Sequence, residues 1–224
     1  MSLQERIADT GAVALEFQAS SDRAGASHDA AALKRAMDLV LAAGLFCVFS
    51  PLLLLIAILI RLDSPGPILF RQTRLGLNGR PFDILKFRSM SVLENGDRIV
   101  QATRNDPRIT RVGRILRKAS LDELPQLVNV LKGEMSLVGP RPHARAHDEH
   151  YEKLIEIYRL RQTVKPGITG WAQVHGLRGE TPTLASMRKR VEHDVWYAQN
   201  LSLALDIEIL VRTGFEIFRH RNAH

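Results

Sequence analysis

The longest apolar block in the chain runs without a charge from Leu39 to Ile60, and everything after it mixes short apolar runs with dense charge. A block of that length is enough for one helix across a bilayer, which takes ~20 apolar residues. Ser50-Pro51 lies at its centre, where proline removes a backbone donor and kinks or breaks a helix. Basic residues flank both ends, Lys34 and Arg35 before it and Arg61 after it. Positive flanks mark the cytoplasmic side of a membrane segment, and here both ends ask for that side. Each half covers roughly 15–18 Å of helix, against a hydrocarbon core of ~30 Å. The pattern predicts a re-entrant helix over residues 32–62 that enters, breaks at Ser50-Pro51 and returns. The Ser50 hydroxyl is placed to satisfy carbonyls freed at the break. A kinked single span and a buried soluble helix are the alternatives.

Ahead of this block, residues 1–31 are rich in Ala, Ser and Asp and have no strong period. They read as a mobile arm with one short helix near Ala8 to Phe17. No apolar centre follows a basic start, so they do not read as a signal peptide. After the block, Asp63 to Pro67 turns the chain. The apolar runs Ile68 to Phe70 and Phe82 to Phe87 flank Asn78-Gly79 and predict a β-hairpin. Lys86 and Arg88 alternate on its second strand and so share a face. That face is either solvated or a pair of cations aimed at phosphate. Residues 91–107 read as loop. Arg108, Arg111, Arg114 and Arg117 then recur every third residue beside Ile109, Val112 and Ile115. This predicts a basic amphipathic helix, suited to anionic lipid or to solvent. Thr183 to Ser202 reads as another amphipathic helix, with Trp196-Tyr197 as interfacial anchors or core. The last helix, about Leu203 to Phe218, is too polar to span a membrane, and a basic tail follows it. The expected class is α+β and mostly helical: a re-entrant hairpin over 32–62, a small β-hairpin, and interfacial helices around one compact domain over 63–224.

Charge narrows the partners. Lys+Arg number 31 against Asp+Glu 24 in 224 residues, a net charge of +7 with a pI near 10.0. Such a surplus calls for an anionic partner: nucleic acid, a phospholipid surface or a phosphorylated substrate. Aromatics are only 6% and no base-stacking motif appears, which argues against nucleic acid. The lone cysteine, Cys47, lies inside the apolar block. It has no internal disulfide partner, in keeping with a cytoplasm-facing protein.

The candidate chemistry sits between Arg117 and Pro142. Ser120-Leu121-Asp122-Glu123 fits a capping box, with both carboxylates at a helix entrance where free N–H groups favour anions. Pro125 complicates this, because inside that helix it clashes with the Leu121 carbonyl. The alternative starts the regular helix at Pro125, with Asp122 in a short turn before it. By themselves these four residues read as a helix cap. Their company raises the stakes: Arg117 lies one turn before, and Gly139-Pro140-Arg141-Pro142 presents an arginine between two prolines that restrict its backbone. A guanidinium fork suits phosphate oxygens. Carboxylates among phosphate-binding cations invite Mg²⁺, and an aspartate facing a phosphoryl group can act as a nucleophile.

"KFRSM" (from Lys86), "LRKASLDELPQLVNVLKGEMSLVGPRP", "KPGITGWAQV" (from Lys165) and "RVEHDVWYAQNLSLALDI" (from Arg190) occur in this order. From about residue 33 to the end the chain resembles the bacterial sugar transferases, the monotopic polyprenyl-phosphate phosphoglycosyl transferases. The resemblance implies a re-entrant helix broken at Ser50 and Pro51. It implies Asp122 as nucleophile, and Glu123 together with Asp122 at Mg²⁺. It implies Lys86, Arg88, Arg117 and Arg141 as phosphate-binding cations. The implied reaction moves a sugar-1-phosphate from a UDP-sugar to undecaprenyl phosphate, releasing UMP through an aspartyl-phosphosugar intermediate. The implied setting is the cytoplasmic face of a bacterial inner membrane, ahead of downstream glycosyltransferases, in exopolysaccharide or related glycan synthesis. Self-association is compatible with it. "RPHA" and "GLRGET" are similar to the subgroup that transfers glucose-1-phosphate or galactose-1-phosphate, which favours UDP-glucose. His143, Arg178 and Glu180 are then candidate sugar-side contacts. Leu177 stands where many members of that subgroup have tryptophan, which leaves the sugar more open. The resemblance also makes this a minimal form without added N-terminal helices or a further soluble domain.

Two weaker readings remain. His143, His147 and His150 recur at i, i+4, i+7 and would share a helical face, either solvated or metal-binding. A non-catalytic membrane-surface assembly protein would use the basic stripe without any chemistry.

Overall fold

The computed structural model describes residues 28–91, 106–179 and 181–219. The fold is mostly helical with little sheet. It opens on α1 (His28–Asp63), which starts inside the stretch expected as an arm; residues 1–27 lie outside the described part, as do most of the 91–107 loop, Glu180 and the tail beyond Arg219. The span Ala31–Asp63 is long and apolar enough to cross a membrane. Its outer face is bare: Val40, Val48, Leu54 and Leu62 are 65–78% exposed.

The expected break at Ser50-Pro51 is not a break in the helix, which runs through both residues. The reason is local. Pro51 has no N–H for the Cys47 carbonyl four residues back. The Ser50 hydroxyl donates to that same carbonyl at 2.8 Å. The repair was expected; its consequence is that helical backbone continues past the proline.

Both flanks of α1 dock on one folded body. Near its start, Lys34 Nζ donates to Asp206 at 2.5 Å, and Arg35 donates to the Val130 and Leu131 carbonyls at 2.6 and 2.9 Å. Buried Asp38 accepts from Ser136 Oγ and Leu137 N–H at 3.0 and 2.9 Å. Near its end, Asp63 accepts from Val112 N–H at 3.1 Å. Arg88 donates to the Ile60 and Ser64 carbonyls. Ile56 and Ile60 bury against Phe87 and Leu116.

The hairpin is as expected: β1 (Leu69–Leu75) pairs antiparallel with β2 (Pro81–Phe87), Arg71 opposite Leu85. The turn places Asn78 and Gly79 at φ 53° and 71°. The basic helix α2 (Arg111–Ala119) begins three residues later than the stripe, capped by Thr110. Arg108 lies ahead of it and pairs with Asp106 at 2.7 Å. Then follow α3 (Gln126–Lys132), β3 (Ser136–Val138), α4 (Arg145–Tyr151), β4 (Gly167–Thr169), α5 (Trp171–Val174), α6 (Leu184–Gln199) and α7 (Leu203–Arg219). Tyr197 is core, not an interfacial anchor: it is 1% exposed and donates to Asp206 at 2.6 Å. Trp196 is 41% exposed and stacks on Trp171.

β3 and β4 pair in parallel, which no sequence pattern predicted. The close approach depends on glycine. A Cβ on Gly167 would lie 2.1 Å from the Gly139 backbone nitrogen, a distance no side chain tolerates. "VGPRP" and "KPGITG" are therefore packed backbone to backbone.

Asn129 ties the hairpin to α3. It is fully buried, accepts from Leu85 N–H at 3.0 Å, and donates to the Asp83 carbonyl and Glu134 at 2.8 and 2.7 Å. Asn129→Ala strips partners from buried backbone groups, at an expected cost of about 2–4 kcal/mol. Denaturant unfolding of the purified protein in lipid nanodiscs measures it; an unchanged midpoint would remove Asn129 as the tie.

Candidate active site

The two carboxylates sit in a 3₁₀ turn, Leu121–Glu123, wedged between α2 and α3. No capping box forms: Ser120 is left-handed, at φ 57°, and its side chain caps nothing. The helix begins after Pro125 instead, because proline cannot sit within a helix that starts at Ser120. A left-handed serine is sparsely populated. Here it reverses the chain between α2 and the turn, so that Asp122 and Glu123 face inward, 8% and 7% exposed.

Three cations close on Glu123. Lys86 Nζ, from β2, donates to Oε1 at 3.0 Å. Arg141 is bidentate, with Nη1 to Oε2 at 3.0 Å and Nη2 to Oε1. Arg178 Nη2 lies 3.6 Å from Oε2 and donates to Ser120 Oγ at 3.0 Å. Burial by itself would raise the Glu123 pKa. The charges of Arg141 and Lys86, the Arg141 hydrogen bond and Arg178 outweigh it and hold that carboxyl well below its usual range. Asp122 is the opposite case. Among the described residues no hydrogen bond or ion pair reaches its carboxylate. Burial, then the charge of Glu123, pushes its pKa up, against Lys86, Arg117 and Arg141. The turn therefore holds one carboxylate saturated with cations and one left with its lone pairs free in a cationic setting.

The structure brings Asp122, Glu123, Lys86, Arg141 and Arg178 together, and puts Arg117 close enough to Asp122 to act on its charge. Arg88 is elsewhere. The residue is 2% exposed and its guanidinium is spent on the Ile60, Ser64 and Pro65 carbonyls and the Ser64 hydroxyl. It braces the end of α1 and is not part of the cation cluster, because the strand ends at Phe87 and the shared face is lost. Arg178, expected as a sugar-side contact, stands at the dyad. His143 is buried, its Nδ1 3.1 Å from Arg161 Nη1 and 2.6 Å from the Tyr158 hydroxyl. An arginine only donates, so Nδ1 accepts and Nε2 carries the hydrogen. Burial and the Arg161 charge keep this imidazole neutral. The three-histidine face does not form, since α4 begins at Arg145, past His143. Among the described residues no cluster of three or more His, Cys, Asp or Glu could hold a metal.

Sequence reasoning missed a layer of buried arginines behind the site. Arg161 donates to Asp194 at 3.0 and 2.8 Å and to the Arg141 carbonyl at 2.5 Å. Arg74 reaches the Pro142 carbonyl at 3.4 Å, and Arg190 the Gly179 carbonyl. Nothing in a linear pattern separates such arginines from surface ones.

A long bare apolar helix docked to a polar body that hides a carboxylate pair among cations defines a membrane-associated protein built around an anion site. The chain belongs to the bacterial sugar transferase family, whose model matches residues 29–220. It is 56% identical over 192 residues to the UDP-glucose:undecaprenyl-phosphate glucose-1-phosphate transferase of Escherichia coli (strain K12), covering 86% of this chain and 41% of that protein. The protein of the same name from Caulobacter vibrioides is 56% identical over 85% of this chain and 72% of its own length. The UDP-N-acetylgalactosamine-undecaprenyl-phosphate N-acetylgalactosaminephosphotransferase of Aeromonas hydrophila is 46% identical over 81% of this chain and 42% of its own. The chain thus spans less than half the length of the first and third of these relatives.

Because the folded-state pKa of Glu123 is depressed, its stabilisation is fully present above the unfolded value near 4.3. It is lost as pH falls through the lower folded value. Glu123→Gln should therefore flatten the fall of stability between about pH 4.5 and 3 relative to the parent. Parallel denaturant titrations across that range check it, and identical slopes would contradict the cluster.

Proposed function

We propose that the protein transfers glucose-1-phosphate from UDP-glucose to undecaprenyl phosphate, releasing UMP, as an early membrane step of exopolysaccharide synthesis. The observation that carries this reading is the asymmetry of the dyad: an unpartnered Asp122 carboxylate beside a Glu123 locked by cations. The names borne by the Escherichia coli and Caulobacter relatives support the sugar and the lipid acceptor.

In the first step an Asp122 oxygen attacks the sugar-bearing phosphorus. The bond from that phosphorus to the bridging oxygen breaks, and UMP leaves with the electron pair. In the second step an oxygen of the lipid phosphate attacks the same phosphorus and expels the Asp122 carboxylate. The product is a diphosphate-linked lipid sugar. Asp122 must be ionised to attack, and the charges of Lys86, Arg117 and Arg141 favour that form against burial and the Glu123 charge. Lys86, Arg117, Arg141 and Arg178 face the charge of the transferring phosphoryl group, where fixed cations act most strongly. The donor set also suits Mg²⁺, which takes one or two carboxylates with substrate phosphates. Asp122 and Glu123 would hold it, Glu123 by sharing oxygens now used by Lys86 and Arg141. Bound there, the ion supplies further neutralisation of phosphate charge.

The setting is the cytoplasmic face of the bacterial inner membrane. Both ends of α1 dock on the body that carries the site, which supports a helix that dips into one leaflet and returns. That arrangement leaves Asp122 at the surface where a lipid phosphate lies.

Two measurements test this. Asp122→Asn should lower UMP release from UDP-glucose by about 10³-fold or more, since it removes the attacking group; release near the parental rate would rule Asp122 out as nucleophile. Cysteines placed before Lys34 and after Arg61 in a Cys47→Ser background should both react with an impermeant thiol reagent only from the cytoplasmic side. Labelling from opposite sides would establish a single span.

A further inference from the structure

We infer that Arg190 is a positioning residue for Arg178, acting through the Gly179 carbonyl, and so holds one of the three cations on Glu123. The kinetic part of this inference rests on the function proposed above; the structural part does not.

Arg178 lies in the segment joining α5 to α6, which has few fixed points. Gly176 takes a left-handed φ of +78°, and a Cβ on Gly179 would meet nothing within 4 Å. No neighbouring atom wedges the backbone at the glycines on either side of Arg178. Besides Gly176 N–H, which donates to the Gln173 carbonyl at 3.1 Å, two contacts among the described residues restrain it from its own side. Leu177 N–H donates to the Ala172 carbonyl at 2.9 Å, and Arg190 Nη2 donates to the Gly179 carbonyl. The second contact is the one adjacent to Arg178 on its C-terminal side, and it comes from a rigid element. α6 is held by Met187, Val191 and Val195 in a buried cluster with Ile155 and Tyr158.

Arg190 is an expensive residue for that place. It is 8% exposed, its Nε is buried without a partner, and among the described residues its side chain donates one hydrogen bond, to the Gly179 carbonyl. Burial lowers its pKa to about 10 even with Asp194 nearby, so it remains a cation at neutral pH. Withdrawing a guanidinium from water for one carbonyl is unfavourable, and an apolar side chain of similar size would serve stability better. What the arginine adds is a fixed distance between α6 and the carbonyl next to Arg178. Arg161 treats Arg141 in the same way, through the Arg141 carbonyl. Two of the cations on Glu123 thus have a second arginine gripping the backbone at or beside them.

The test has two arms. Trypsin cleaves after Arg178, and in Arg190→Met the Arg178–Gly179 bond should be cut about fivefold faster or more than in the parent, as local opening becomes easier. Mass spectrometry of the full chain in nanodiscs follows that bond. In the kinetic arm, Arg190→Met should lower kcat/KM for UDP-glucose by about tenfold when Arg178 is present, but by less than about twofold in an Arg178→Met background. Arg190→Lys, which keeps one donor, should stay within about threefold of the parent. Circular dichroism checks folding; if Arg190→Met does not fold, Arg190→Gln replaces it in both arms. Unchanged cleavage at Arg178, or an equal kinetic loss in both backgrounds, overturns the inference. A parent enzyme that releases no UMP would overturn the proposed function instead, and the cleavage arm would still decide whether Arg190 tethers the loop.

Discussion

The structure turns on one buried carboxylate. Glu123 brings together cations from three separated stretches: Lys86 from the hairpin, Arg141 from the proline-bounded segment and Arg178 from the α5–α6 loop. The hairpin and the proline-bounded segment also meet directly, where Arg74 of β1 bridges to Ala144 and reaches the Pro142 carbonyl. An uncompensated buried charge is strongly unfavourable, and so is each unpaired cation. The cluster therefore holds only when every part is in place, which makes it a register for the assembled domain as well as a site. The same three cations leave the Asp122 carboxylate without a hydrogen bond or ion pair among the described residues, so the two neighbouring carboxylates sit in opposite electrostatic states.

Around this cluster the backbone is held at close range. Gly139 and Gly167 let β3 and β4 meet with no side chain between them. That contact delivers Arg141 immediately after the strand, and Arg161 and Arg74 then take the carbonyls of Arg141 and Pro142. The layer behind the site is thus made of arginines used as backbone clamps. Their charge is balanced within the interior by Asp194 and Asp148.

The membrane helix belongs to the same construction. Lys34, Arg35 and Asp38 at one end and Asp63 at the other are tied to α3, β3, α7 and α2. Ser50 supplies the hydrogen that Pro51 lacks, so the apolar segment keeps its carbonyls satisfied where no water would reach them. The long apolar helix and the body that carries the carboxylates are thus joined by side-chain packing and hydrogen bonds at both ends of α1.

Much of this was legible in the residues. The apolar block with basic flanks, the hairpin around Asn78-Gly79 and the late start of α3 imposed by Pro125 follow from local rules: periodicity, turn chemistry and the geometry of proline. These act over a few residues and need no partner. The grouping of Lys86 and Arg141 with Asp122 and Glu123 was expected only from the family resemblance. The tertiary structure decided the rest. It sent Arg88 to the end of α1 and brought Arg178 to the dyad. It buried His143 beside Arg161, ran α1 through Ser50-Pro51 and paired β3 with β4. Each depends on an acceptor or a neighbour far along the chain, and a charged side chain carries no mark of which distant carbonyl it will meet. The sequence determined a long apolar helix with basic flanks and a carboxylate pair at a turn forced by Pro125; only the fold decided that Glu123 would take the cations and that, among the described residues, Asp122 would have no partner.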